Sequence, residues 1–340
     1  MASTLRELVV NVSNVYNLGA HKIAAVRRAQ GVSVEMSDRV RPLFAGDYNA
    51  FWISSVFSWD TPKLIESAIT ALTFALGRPV AVGGPGTFGL REMIRERLHL
   101  TPQATPDERF ERVAGDYKAV FWSRGCPAYN CALGYPKDGS RPLCIVPEIE
   151  GSRFTLYPDA TPAPVILDNN LSALPRRHQE HIVERTLAAG FKKVDAQSGF
   201  EPHSFRPETA ALWKRLPLVA WRFAYDEIEE RKAVVRMIEI LDDAGVKRRR
   251  MHIYCIAGNE PIHACEQRVH EIRSWKAIPI VQKRIPLDYI AGPLPTIHDW
   301  TPRLLTDFKR WGNRLSHSLP WSKYDRRLNH SGVKMRATAL

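Results

Sequence analysis

Short apolar runs alternate with amphipathic helical patterns along most of this 340-residue chain, and that alternation constrains the fold more than any other feature. A strand–helix–strand rhythm implies parallel strands joined by crossover helices, hence an α/β architecture. In the first third, LRELVVNV, NAFWISSVF and PVAVGGPGTFG read as strands, and NLGAHKIAAVRRAQGVSVEM as a helix closing at Gly31 before another strand. A second helix is marked by Thr61 as N-cap and Pro62 in the first turn, with Gly77 as its stop. Ile65, Ala68, Ile69, Leu72 and Leu76 form its apolar stripe. The pattern predicts a parallel sheet with helices on both faces.

The polar, proline-bearing stretch His99–Phe110 predicts a boundary, giving a first domain over residues 1–115. From Asp116 the rhythm resumes with KAVFW, APVILD, KKVDAQ, LVAWRFAYD, MHIYCIAG and IPIVQKRIP as strands. Helical patterns at Arg177–Ala189, Glu227–Ala244 and His263–Trp275 separate them. Six such strands predict a (β/α)6 partial TIM barrel over residues 116–290, with a basic C-terminal extension over 291–340. In a barrel of this kind the strand C-termini open on one mouth, where chemistry sits.

Composition narrows the setting. No apolar run approaches the roughly 20 residues needed to span a bilayer, so no membrane partner is expected. The N-terminus MASTLRELVV has no secretory pattern. Five cysteines are an odd count, which argues for free or metal-bound thiols in a reducing, cytoplasmic setting. The net charge of +12 favours an anionic partner, nucleic acid foremost, or else serves solubility. Much of it is local, in VKRRRMH (Val246–His252) and in the tail beyond Thr301, which reads as a solvated arm.

Three of the five cysteines, Cys126, Cys131 and Cys144, crowd into SRGCPAYNCALGYPKDGSRPLCIVPEIEG directly after the first barrel strand. Three thiolates near one point suit a soft metal or an iron–sulfur cluster. Zinc would want a fourth ligand, a histidine for instance. Cys255, inside a strand, and Cys265, in a helix, read as small buried hydrophobes.

This arrangement resembles the radical S-adenosylmethionine (radical SAM) superfamily. There the cluster loop follows the first barrel strand, and its last cysteine is often followed by VP, an acidic residue and glycine, as in CIVPEIEG at Cys144–Gly151. The family's usual spacing is CX3CX2C, whereas this chain has CX4CX12C. The extra ALGYPKDGSRPL reads as a turn-rich insertion, which a loop absorbs at small entropic cost. VILDNNL, VDAQSGFEP, WRFAYDEIEERKAVVRMIEILDDAG and MHIYCIAGNEP resemble later barrel segments of the family. The first domain resembles the flavodoxin-like domain of cobalamin-dependent members. It lacks their Asp-x-His-x-x-Gly segment, so cobalamin is not expected.

The resemblance implies a [4Fe-4S] cluster on Cys126, Cys131 and Cys144 that binds S-adenosylmethionine. The cofactor is cleaved reductively to a 5′-deoxyadenosyl radical for hydrogen abstraction from substrate. A donor such as flavodoxin or ferredoxin would supply the electron. Asp168, Asn169 and Asn170 become candidates to hold the methionyl ammonium or ribose, with an Asx turn the other reading of Asn170. Strand alternation turns Arg222 inward, toward Asp195, Glu201 or the methionine carboxylate. Gly258 would permit close approach of adenine, and Glu201 could orient substrate. The charge points to a nucleic acid or nucleotide-derived substrate. The competing readings are a catalytically silent barrel that binds nucleic acid, and a zinc protein.

Overall fold

A computed structural model of the chain describes residues 5–127, 131, 143–314 and 321–323. The inserted residues 132–142 and the tail beyond residue 323 lie outside the described residues. The molecule is a mixed α/β structure whose larger sheets are parallel. It divides into two compact units: residues 1–198 with 215–217 and 286–292, and residues 199–214 with 218–285 and 293–340.

The first unit opens with β1 (Arg6–Asn11), α1 (Leu18–Ala29), β2 (Ser33–Ser37), β3 (Ala50–Ser54), α2 (Thr61–Phe74) and β4 (Val80–Gly83). The strands form a parallel sheet in the order β2-β1-β3-β4. Alternation along β1 divides its side chains between two cores. Leu8 and Val10 join Phe51, Ile53, Leu64, Ile65 and Ala68 on the α2 side. Val9 meets Ala20 and Ala24 of α1 on the other. The helix starts behave as the sequence suggests: the Asn17 side chain caps α1 by accepting from Ala20 N–H. In α2 the cap falls one residue early, at Asp60, with Pro62 still in the first turn.

The stripe of α2 is only half as predicted. Leu64, Ile65, Ala68 and Ala71 face the sheet, while Ile69, Leu72 and Leu76 are exposed. Small alanines let the helix sit close to the sheet, and the larger residues at its flank are carried past the contact. The stretch expected to be a connector also pairs: Gln103 bridges Gly83 in parallel, exchanging backbone hydrogen bonds with Val82 and Gly84.

The unit continues through α3 (Arg91–Leu98), α4 (Glu108–Glu111), β5 (Ala119–Val120), β6 (Ser123–Arg124), α5 (Val146–Ile149), β7 (Thr155–Leu156), β8 (Val165–Ile166), α6 (Arg176–Ala188) and β9 (Asp195–Ala196). β5, β8 and β9 form a second parallel sheet, and β6 pairs antiparallel with β7.

The second unit holds α7 (Pro207–Trp213), β10 (Trp221–Ala224), α8 (Arg231–Asp243), β11 (Met251–Ala257), α9 (Ile262–Ser274), β12 (Ile278–Lys283) and α10 (Pro302–Gly312). β10-β11-β12 is again parallel. The six strands expected of the barrel region thus form as two three-stranded parallel sheets, one in each unit. The extension expected to be a solvated arm begins instead with a packed helix. Thr301 caps α10, and its Leu305, Phe308 and Trp311 are buried. Among the described residues no helix is long and apolar enough to cross a membrane.

Candidate active site

β6 and β7 are the stem of the cysteine loop. Ser123 pairs with Leu156 and Arg124 with Thr155, so the chain departs at Gly125 and returns through residues 151–155. Gly125 has φ +88°, and a Cβ there would lie 2.1 Å from Arg153 O. Only glycine allows the two limbs to approach so closely. The Cys126 N–H donates to Gly151 O at 3.2 Å and narrows the neck further. On the returning limb Pro147 opens α5 and Gly151, at φ +85°, follows its end.

Glu150 is the hub of this neck. It accepts from Gly125 N–H at 3.0 Å, Asn169 Nδ2 at 2.7 Å and Arg124 Nη1 at 3.0 Å. Arg124 Nη2 donates to Glu111 at 2.7 Å, and Lys22 of α1 bonds the other Glu111 oxygen. The Arg124 guanidinium also stacks on Phe121, with Cζ 3.4 Å from the ring centroid. Burial alone would raise the Glu111 carboxyl, but the Arg124 and Lys22 charges outweigh it and hold it below its ordinary range. For Lys22 burial is the larger influence and draws the ammonium down despite Glu111 beside it. A chain of paired charges, Lys22–Glu111–Arg124–Glu150, therefore runs from α1 to the loop stem.

The second-strand residues divide by role. Asp168 is fully buried, accepting from Trp122 N–H at 3.0 Å and Ser123 Oγ–H at 2.6 Å. Burial pushes its carboxyl up to about 6. These two contacts engage both carboxylate oxygens and tie the end of β8 to β6. Asn169 bonds Gly125 O as well as Glu150, so it ties the neck. Asn170 Oδ1 accepts from Ala173 N–H and Ser172 Oγ–H, the Asx-type turn that was the other reading. Its Nδ2 stands 3.9 Å from Cys126 Sγ.

Cys126, Cys131 and Cys144 are each half-buried. Burial raises the Cys144 thiol, and Cys126 is close enough to raise it further. The donor set is thus right in kind for an iron–sulfur centre, three thiols on one closed loop, with two already acting on each other. Among the described residues no group of three or more His, Cys, Asp or Glu is arranged to hold a metal ion.

A cavity of about 320 Å³ adjoins the neck within the same unit. The strand ends of the four-stranded sheet contribute Asn17, Ser54 and Gly83 to its wall, and the loop stem contributes Arg124 and Glu150. Sequence reasoning did not find this charge chain or the cavity. Glu150 was visible only as the acid of the CIVPEIEG segment, and nothing local marks Lys22 or Glu111 as its distant partners.

Three further predicted residues, Glu201, Arg222 and Gly258, lie in the second unit. Arg222 Nη1 donates to Tyr254 Oη at 2.9 Å. Glu201, expected to orient substrate, caps its own turn, accepting from His203 N–H at 2.6 Å and Ser204 N–H at 2.8 Å. Gly258 has φ +102°, and a Cβ there would lie 2.9 Å from Leu305 Cδ2. The glycine lets the chain pass close to Leu305 of α10. Cys255 and Cys265 are fully buried, as expected. Their common partner is the fully buried Arg268, whose Nη1 lies 2.9 Å from Cys255 Sγ and whose Nη2 lies 3.2 Å from Cys265 Sγ.

No family model and no curated protein matches the chain. Among solved structures it shares its fold with TsrM, a radical S-adenosylmethionine methyltransferase from Kitasatospora setae solved with cobalamin and a [4Fe-4S] cluster bound. The TM-score is 0.60 at 11% identity, covering 90% of this chain and 78% of that one. OxsB, a cobalamin-dependent S-adenosylmethionine radical enzyme, matches at TM-score 0.48 and 12% identity over 79% of this chain and 51% of its own.

Proposed function

We propose that the chain is an iron–sulfur enzyme of the radical SAM type, with Cys126, Cys131 and Cys144 as the cluster ligands. The observation that carries this reading is the pinned cysteine loop following β5, in a chain with the fold of a radical SAM methyltransferase. When bound, the cluster supplies an open iron for S-adenosylmethionine and the electron that cleaves it to methionine and a 5′-deoxyadenosyl radical. The chain's own residues hold the site. Glu150, Asn169 and Gly125 fix the neck, so the insertion between Cys131 and Cys144 lengthens the loop without moving its ends. Arg124 at the loop stem is neutralised by two carboxylates, Glu111 and Glu150. The half-buried setting of Cys126 and Cys144 limits access of water and oxygen. The net charge of +12 supports an anionic, nucleotide-derived or nucleic-acid substrate, which a basic surface would steer inward.

The test is anaerobic incubation of the reconstituted, reduced protein with S-adenosylmethionine. The expected product is 5′-deoxyadenosine, lost in Cys144→Ala. A protein that carries its full cluster yet yields none, with nucleotide and RNA candidates present, would falsify the assignment.

A further inference from the structure

The cavity beside the loop stem has a character of its own. We propose that it is a binding site for a neutral, flat heteroaromatic molecule of purine to isoalloxazine size, and not for a corrinoid. Its place in the fold is the first reason. With strand order β2-β1-β3-β4, the chain leaves β1 toward one edge and returns on the other side, so β1 and β3 flank a switch point. In open α/β sheets ligands bind outside the strand C-termini at such a point. Asn17 follows β1, Ser54 ends β3 and Gly83 ends the neighbouring β4, and all three line the cavity.

The walls give the ligand class. Trp52, Phe110 and Phe121 all line the cavity and are all only half-buried. Each ring has an arginine near one face, Arg27 by Trp52, Arg109 by Phe110 and Arg124 on Phe121, and the aromatic surface that stays exposed in a concave, mainly apolar site is where a flat ring gains by stacking. The charged groups around it are already paired: Lys22 with Glu111, Arg124 with Glu111 and Glu150, and Asp107 with Arg109. A charged ligand would have to break one of these pairs, whereas a neutral one need not. The polar groups left over are themselves neutral. The Gln103 amide and the Thr105 hydroxyl line the cavity and bond no described residue, which suits ring nitrogens and carbonyls.

A corrinoid fits poorly. A corrin macrocycle with its amide arms and nucleotide tail is far larger than about 320 Å³. Among the described residues no histidine lines the cavity, so none of them offers an imidazole to cobalt.

Equilibrium dialysis of the full, iron-free chain tests this, with adenine and riboflavin as flat probes and hydroxocobalamin as the large one. At least one flat probe should bind with a dissociation constant of order 1–100 μM. Ala81→Trp, which fills the cavity from an exposed position on β4, should weaken that binding about tenfold or more, as should Trp52→Leu. The proposal is overturned if hydroxocobalamin stays bound through gel filtration, if neither flat probe binds at about 1 mM, or if folded Ala81→Trp binds as well as the parent. Iron content and S-adenosylmethionine cleavage play no part in this readout, so it stands or falls separately from the cluster.

Discussion

Two arginines in cysteine-bearing segments, half-buried Arg124 and fully buried Arg268, are paired in different ways. Arg124, in the first unit, is neutralised by Glu111 and Glu150, and the neighbouring Cys126 and Cys144 are left half-buried with each other for company. Arg268, in the second unit, points both Nη groups at sulfur and adds Glu260 at 2.8 Å and the carbonyls of Tyr225 and Ile256. Burial pushes the Cys255 thiol there up to about 12, so it stays a neutral thiol. The difference separates cysteines that contact an internal cation from cysteines in a loop whose stem arginine is neutralised by carboxylates.

Removing the fully buried arginine should have the largest effect. Arg268→Leu leaves Glu260 and Asp226 as uncompensated buried acids, with an expected loss of about 3–5 kcal/mol in urea unfolding. Iron uptake by whatever protein remains folded should be unchanged. A loss of iron with stability intact would erase the contrast.

Gly125→Ala sharpens it from the other side. A methyl group 2.1 Å from Arg153 O at φ +88° should cost about 1–3 kcal/mol and open the neck, so iron bound after reconstitution should fall several-fold. Cys255→Ala should leave iron content at the parental level.

A smaller effect is expected from pH. Burial raises the Asp168 and Asp226 carboxyls each to about 6, above their unfolded values near 4. The folded state then binds more protons than the unfolded one in that interval. The stability these groups contribute is therefore fully present below about pH 4 and is lost as pH rises through about 6. Asp226→Asn should flatten the decline of the urea midpoint between pH 4 and 7, by on the order of 1–2 kcal/mol. An unchanged slope would mean that the Arg268 surroundings hold Asp226 at its ordinary pKa. The smallest change is Thr301→Ala, which removes the α10 cap and should cost about 1 kcal/mol without touching iron.

The strands were legible because buried parallel strands are written as continuous β-branched and aromatic runs. LVAWRFAYD and MHIYCIAG each formed where they were read, as β10 and β11. α10 was hidden by its own lysines and arginines, which line one side of a helix whose other side is Leu305, Phe308 and Trp311. The cysteines stood out by crowding alone. What gives their loop its shape did not, since Lys22, Glu111 and Glu150 meet Arg124 only after distant segments have folded together. Asp168 and Glu201 each accept backbone N–H groups, contacts that an acid at a strand end does not announce in the sequence.

Mössbauer spectroscopy of iron-57-reconstituted protein, parent against the three single cysteine-to-alanine variants at 126, 131 and 144, puts the question to all three sulfurs at once. A shared centre gives a [4Fe-4S] doublet in the parent that each substitution abolishes or converts. Full retention of that doublet after replacing any one of them would show that the loop does not gather its thiols around a common cluster.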